Sequence, residues 1–242
     1  MKRWANGLAV ALLLVLSSLI TILVRAPAAW LGDWLEAHGK LRLVDARGTV
    51  WSGSALLGVS DGRETTLIPG RIEWRVQSAG AAQISHPWLG APLAIRINGE
   101  RLAFASGSAR LPAGVLAGLG APFNTLRPGG VLELAWKESE LRGTALTGEL
   151  QIDWRDAQSA LSTVAPLGSY RVRITGSGGK PLIALQTLAG PLQMQGAGTM
   201  EGSRIRFSGV ATAEPAMRGA LDGLLGVLGM RSGDKVLLAI DT

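Results

Sequence analysis

Two short stretches have the spacing of catalytic motifs. Gly58-Val59-Ser60-Asp61-Gly62 fits G-x-S-x-G, in which a serine stands on a strained turn between a strand and a helix and attacks an acyl carbon. The following residues, "RETTLIPG", have no helical period, and a nucleophilic serine also needs a histidine base. Of the two histidines, His38 lies close to the N-terminal apolar run and His86 directly precedes Pro87. Asp61-Gly62 reads instead as a hairpin turn. Ser177-Gly178-Gly179-Lys180 fits S-x-x-K, which needs a helix to bring the amine onto the hydroxyl; two glycines and Pro181 forbid that helix, so the stretch is a turn. The sequence contains no Cys, which removes thiolate catalysis, disulfides and Cys-ligated metals, and two His make a His-based metal site improbable. Glu73, Glu133 and Asp153 fall on the polar side of alternating segments, where water keeps carboxylates at ordinary acidity. No catalytic, cofactor-binding or metal-ligating residue is assigned, and no cofactor is expected.

The elements around these stretches are mostly strands. Period-two alternation appears in "RIEWRV", "LAIRIN", "VLELAW", "ELQIDW", "YRVRIT", "SRIRFS" and "KVLLAI", with turn signals at Asn98-Gly99, Pro128-Gly129-Gly130 and Gly176-Ser177-Gly178-Gly179. One wet face, one dry face and short connections predict a mainly β chain built on antiparallel sheet, with few short helices. Helical spacing is confined to "PAAWLGDWLEAHGK", "LPAGVLAGLG" and "PAMRGALDGLLGVLG". In the first, Trp30, Leu31, Trp34 and Leu35 share one side, which packs under the following domain or, as the alternative, lies on lipid. The third is expected to close an open end of the sheet.

Tryptophan is the distinctive residue. Ile72-x-Trp74, Leu134-x-Trp136 and Ile152-x-Trp154 place Trp in one register of three strands, as a staple on a buried sheet face or, alternatively, the lining of an apolar groove. "GTVWSGSA", residues 48–55, sets Trp51 among glycines and hydroxyls with no ionisable neighbour. Val50 and Trp51 are read as an early strand whose Trp plugs the open end of the sheet, with glycines allowing the backbone to bend around it. A fully buried Trp51 predicts a cost of about 3–5 kcal/mol for Trp51→Ala.

Residues 4–24 carry no charge and would span about 31 Å as a helix, close to a hydrocarbon core of about 30 Å. Lys2 and Arg3 precede the run, so the positive-inside rule leaves the N-terminus in the cytoplasm and the rest outside. An uncleaved anchor is preferred; a cleaved signal at Ala26-Pro27-Ala28 is the competing reading. The expected organisation is a cytoplasmic stub and anchor over 1–25, a membrane-proximal helix over 26–40 and a β-domain over 41–242. The net charge of +6 is dispersed in pairs such as Arg71/Arg75, Arg171/Arg173 and Arg204/Arg206, with no nucleic-acid pattern.

In this order, the apolar anchor, the Pro-led helix, "LRLVDARGTVWSGSA", "LIPGRIEWRV", "ELRGTALTGELQIDWRDA", "APLGSYRVRI", "GAGTMEGSRIRFSGVATAEP" and "LDGLLGVLGMRSGD" resemble protein N of the bacterial type II secretion system, the general secretion pathway N family. Gly48, Thr49, Val50, Trp51 and Gly53, followed by Ile72 and Trp74, carry the most specific part. The resemblance implies a single-pass inner-membrane protein with a periplasmic β-domain, a curved sheet or open sandwich. It would act without catalysis beside other inner-membrane or periplasmic secretion components, with membrane lipid contacted through residues 4–24 and no nucleic acid. The architecture is also similar to AsmA-like proteins, whose sheets form lipid-carrying grooves; that likeness is analogy. Two rivals stand beside the secretion reading, a lipid handler with a Trp-lined trough and an envelope hydrolase built on Ser60.

Overall fold

The computed structural model describes residues 14, 16–17, 21–39, 41–60, 65–120, 123–143, 145–201 and 204–241. The expected Asp61-Gly62 turn lies outside them, as does most of the segment 4–24. Residues 14, 16–17 and 21–24 are helical, and among the described residues no helix is long and apolar enough to cross a membrane.

Alternating segments separated by tight turns form one antiparallel sheet, sixteen strands among the described residues. Its first half runs β1 (Leu41–Gly48), β2 (Ser52–Ser60), β3 (Thr65–Ser78), β4 (Ala81–Ser85), β5 (Leu93–Asn98) and β6 (Arg101–Phe104), each beside its predecessor. β6 continues after a two-residue break as β7 (Gly107–Pro112). The returning strand is likewise broken, into β8 (Pro128–Trp136) and β9 (Ser139–Arg142). β7 pairs with β8 and β6 with β9, and β10 (Ala145–Ser159) spans both returning pieces. β11 (Gly168–Ser177), β12 (Leu182–Ala189), β13 (Leu192–Glu201) and β14 (Arg204–Ala213) extend the meander. Order changes only at the end, where β16 (Lys235–Asp241) lies between β14 and the three-residue edge strand β15 (Met230–Ser232). Pro128-Gly129-Gly130, expected as a turn, is the start of β8. A 3₁₀ segment, Ala113–Leu119, and helix α2 (Phe123–Leu126) make the connection instead.

A meander this regular gives every strand two faces of opposite character. One row of directly opposed residues reads Ala109, Leu134, Ile152, Val172, Leu185, Gly196, Gly209 and Leu238 across eight strands. The row beside it on the other face begins Arg110, Glu133, Asp153, Arg171, Gln186 and Gln195. The apolar face is closed at two places. Near the N-terminus, helix α1 (Ala28–His38) covers it, Ala28 and Leu31 packing with Leu43, Ala55, Ile72, Trp74 and Ile84. At the far end, helix α3 (Arg218–Leu228) buries Leu221, Leu224 and Leu225 against Leu167, Leu192, Ala211, Ala213 and Val236. Met217, expected on that helical face, sits in a preceding 3₁₀ turn and is exposed. Between the two helices Leu134, Trp136, Leu150, Ile152, Val172, Ile174, Ile183 and Leu185 are half-buried.

α1 starts after Pro27, whose missing N–H is no loss at a helix start, and Gly39 follows its last residue. Its four large apolar residues do not share one environment. Leu31 and Leu35 are half-buried while Trp30 and Trp34 are exposed, because the helix meets β1 on the side of Ala28 and Gly32, both buried, with Gly32 against Leu43.

Candidate functional site

The signature residues converge on one clasp. Gly48 ends β1 at φ +88°, and Thr49, Val50 and Trp51 form the turn that leads into β2. Thr49 organises this turn: its backbone N–H donates to the Ser52 carbonyl at 2.9 Å, and its hydroxyl oxygen accepts the N–H groups of Trp51 and Ser52 at 3.3 and 3.2 Å. Gly53 lies directly opposite Trp74 of β3. A Cβ on Gly53 would stand 2.5 Å from Trp74 Cζ2 and 2.5 Å from the Arg47 carbonyl, so the indole needs the missing side chain. Lying across Gly53, the Trp74 ring reaches the turn itself and donates its N–H to the carbonyls of Thr49 and Val50, both at 3.2 Å. Ile72, on the same face two residues earlier, packs beside it.

The clasp also holds the N-terminal segment. Val50 N–H donates to the Ala26 carbonyl at 2.9 Å, and Pro27 bridges to Thr49. Trp51 Nε1 donates to the Leu23 carbonyl at 2.7 Å, one of the last carbonyls of a helix end, which lack partners inside the helix. This corrects the expectation for Val50 and Trp51: they are turn residues, not a strand, and Trp51 is 40% exposed and plugs nothing. The physical reason is the hairpin, whose closing bond from Thr49 to Ser52 leaves the two residues between them to reach outward. The stability consequence changes with it. Trp51→Ala is expected to cost under about 1 kcal/mol, in the range of exposed positions. Gly53→Ala is expected to cost about 2 kcal/mol through overpacking against backbone and ring. Thermal melts of the full-length protein in mild detergent rank the two, and the reverse order would dismiss this geometry.

Trp136 and Trp154 stand elsewhere on the same apolar face. Trp136 lies across Gly107 and donates its N–H to the Ala105 carbonyl at 2.9 Å; Trp154 donates to the Gly129 carbonyl at 2.8 Å. The three strand Trp do not stack on one another among the described residues. Each instead donates its N–H to a neighbouring segment, Trp74 to two carbonyls of the turn and Trp136 and Trp154 to one each. Trp154 meets Tyr170 at 6.0 Å between ring centroids, and the Tyr170 hydroxyl donates to the Leu192 carbonyl at 2.9 Å, in a site whose burial pushes its pKa up.

The polar face is knitted into ion pairs. Asp153, expected in water, is 4% exposed: Arg171 donates two hydrogen bonds at 2.6 Å and Arg155 a third at 2.8 Å. The Arg171 hydrogen bonds hold this carboxyl below the usual range against the opposing effect of burial. Glu133 lies between Arg110 and Arg155, and Glu149 receives Lys137 at 2.6 Å with Arg173 at 3.4 Å. Arg71 pairs with Asp45 at 2.7 Å, and Arg206 stands 3.9 Å from Asp241. Arg71, Arg171, Arg173 and Arg206 of the arginine pairs are therefore each set against a carboxylate.

Ser60, the formal nucleophile, is the last residue of β2 and is buried. It pairs with Thr65, whereas His86 stands beside Gly70, five residues along β3, or about 17 Å at 3.4 Å per residue. His86 Nδ1 accepts the Trp88 N–H at 3.1 Å and its ring meets Trp88 edge-on at 5.0 Å, with burial lowering its pKa. This geometry keeps Ser60 and His86 apart. Ser177 to Lys180 is the β11–β12 turn, with Gly178 at φ +86° and Lys180 paired to Glu201 at 2.8 Å.

Comparison with curated proteins and comparison with solved structures give no match. The family model described as type II secretion system (T2SS), protein N, matches residues 39–237, which takes in every strand from β1 to β15 and all the strand Trp. With the clasp and the sheet both inside it, that match over most of its length makes this chain a member of the type II secretion system protein N family and a component of that secretion system.

Proposed function

We propose that the chain is a non-enzymatic inner-membrane component of the type II secretion system, anchored once through residues 4–24, with the β-domain of residues 41–242 in the periplasm. It assists export by bearing on other inner-membrane or periplasmic components of the apparatus. The observation that carries this reading is the clasp. Three contacts from the first hairpin grip Leu23, Ala26 and Pro27, which is the connection needed where a rigid sheet must follow the orientation of a membrane helix. The polar face supports it as well: Arg171 holds the Asp153 carboxyl and Lys137 the Glu149 carboxyl below the usual carboxylate range, the opposite of the raised pKa that general acid catalysis uses.

Topology is tested by C-terminal fusion to a reporter active only outside the cytoplasm, together with carbonate extraction of membranes. An active reporter on a carbonate-resistant protein is expected. An inactive reporter reverses the orientation, and a soluble fusion removes the anchor.

One observation favours a second reading. The half-buried apolar row between α1 and α3 is a long surface for a soluble-side domain to leave uncovered. An envelope lipid handler would use it as a trough, and lipid co-purifying in stoichiometric amount would separate that role from docking.

A further inference from the structure

Three tryptophans with exposed rings follow the point where the chain leaves its N-terminal segment. Trp51 is tied to Leu23 by its indole N–H, which fixes the ring at the end of the apolar helix. Trp30 and Trp34 are 54% and 57% exposed and follow within the next two turns of α1. At 1.5 Å per residue Trp34 is only about 9 Å along α1 from Ala28, so all three rings lie near the chain's exit.

The helical wheel of α1 sorts its residues into three sectors. Ala28, Leu31, Gly32 and Leu35 face β1; Asp33 and Glu36 form one exposed flank, with Glu36 bonded to Arg42 at 2.9 Å; Trp30, Trp34 and Ala37 form the other. Trp30 and Trp34 are four residues apart and present their rings side by side. Ile22, Leu23 and Val24, at the end of the apolar segment, are exposed too. Exposed apolar residues thus stand on both sides of the Ala26-Pro27 junction, at the end of the apolar segment and on the Trp flank of α1. Indole rings favour such a boundary, where an apolar body and a polar N–H meet hydrocarbon and water together.

We propose that Trp30, Trp34 and Trp51 form a seat on the bilayer interface. They lay the Trp flank of α1 on the headgroup and upper acyl layer of the membrane that residues 4–24 enter, and so set the tilt of the whole sheet. The occupant is the lipid surface itself, without headgroup specificity, because α1 contains no Lys or Arg to select a headgroup. The inference rests on the anchor reading.

The absence of Cys makes a direct test available. Full-length protein carrying Ala37→Cys, on the Trp flank, or Thr163→Cys, in the exposed loop that joins β10 and β11, seven places along the sheet from β1, is labelled with a nitroxide. Each is reconstituted into vesicles of phosphatidylcholine and phosphatidylglycerol. Accessibility to a water-soluble nickel relaxant is then compared with accessibility to oxygen. The label at 37 is expected to be several-fold less accessible to nickel and more accessible to oxygen than the label at 163. Adding Trp30→Ser with Trp34→Ser should bring the two labels level while the protein stays carbonate-resistant. Equal accessibility at 37 and 163 in a carbonate-resistant protein overturns the seat and leaves the anchor standing. Release by carbonate overturns the anchor, and the seat with it.

Discussion

Tyr170→Ala is expected to destabilise the protein by about 4 kcal/mol, the largest single effect among the substitutions considered. Tyr170 is among the largest fully buried side chains, and its hydroxyl lies within bonding distance of the carbonyls of Leu167 and Leu192, two residues of the α3 core. Its ring packs against Trp154 across β10 and β11, and its hydroxyl donates to Leu192. Truncation removes the aromatic area and leaves a cavity between two strands that cannot close on it. Tyr170→Phe separates the parts: it keeps the ring and loses one buried hydrogen bond, for about 1 kcal/mol. Thermal or urea unfolding of the full-length protein in mild detergent reads both. A Tyr170→Ala protein as stable as Tyr170→Phe would mean that the ring is not a core element.

Asp153→Ala is expected to cost about 3 kcal/mol, the lower end for breaking a buried pair, because the Arg171 side chain keeps some access to water. The same pair predicts a pH dependence. Its folded-state pKa lies below the unfolded value of about 3.9, so the unfolded chain takes up its proton first as the solution is acidified. The stability that Asp153 contributes is thus fully present above that unfolded value and is lost as pH falls through the folded one. Asp45, Glu149 and Glu201 are lowered in the same direction by Arg71, Lys137 and Lys180, so acid destabilises the wild type through several groups at once. The difference between wild type and Asp153→Asn isolates this one. It should be constant from neutral pH to about 5 and shrink below 4. A difference independent of pH would show that Asp153 acts through shape and not charge.

Most of the sheet is legible in the sequence. "LAIRIN" is β5 to the residue, and "RIEWRV", "VLELAW", "ELQIDW", "YRVRIT", "SRIRFS" and "KVLLAI" fall in β3, β8, β10, β11, β14 and β16. Alternation is a property of one strand and needs no partner to be seen. What it cannot supply is the neighbour. Asp153 reads as a solvent-facing carboxylate until β8, β10 and β11 are set in register and bring arginines over it. Trp30 and Leu31 read as one apolar side because 100° steps spread a helix face widely, and only the contact with β1 divides them.

The signature turn failed for a related reason. Thr49 to Ser52 is closed by a hydroxyl and one backbone bond, and the contact that gives Trp51 its place is with Leu23, 28 residues away. Nothing in the local pattern distinguishes that arrangement from a short strand. A signal was nevertheless present: a lone aromatic between glycine and serine, without charged neighbours, suits a residue whose N–H must reach a backbone carbonyl. The pairing of Gly53 with Trp74 was also available as two motifs in one resemblance, but not the reason they occur together.

On the function proposed here, this chain works by contact with other secretion components, through a sheet clasped to the segment that enters the membrane. The most direct test is to crosslink lightly in cells, purify the full-length chain from its own membranes in mild detergent, and analyse protein and lipid in the same sample by mass spectrometry. Recovery of secretion-system subunits without stoichiometric lipid is the predicted result. Stoichiometric phospholipid or glycolipid with no secretion partner would contradict it and make the uncovered face a carrier.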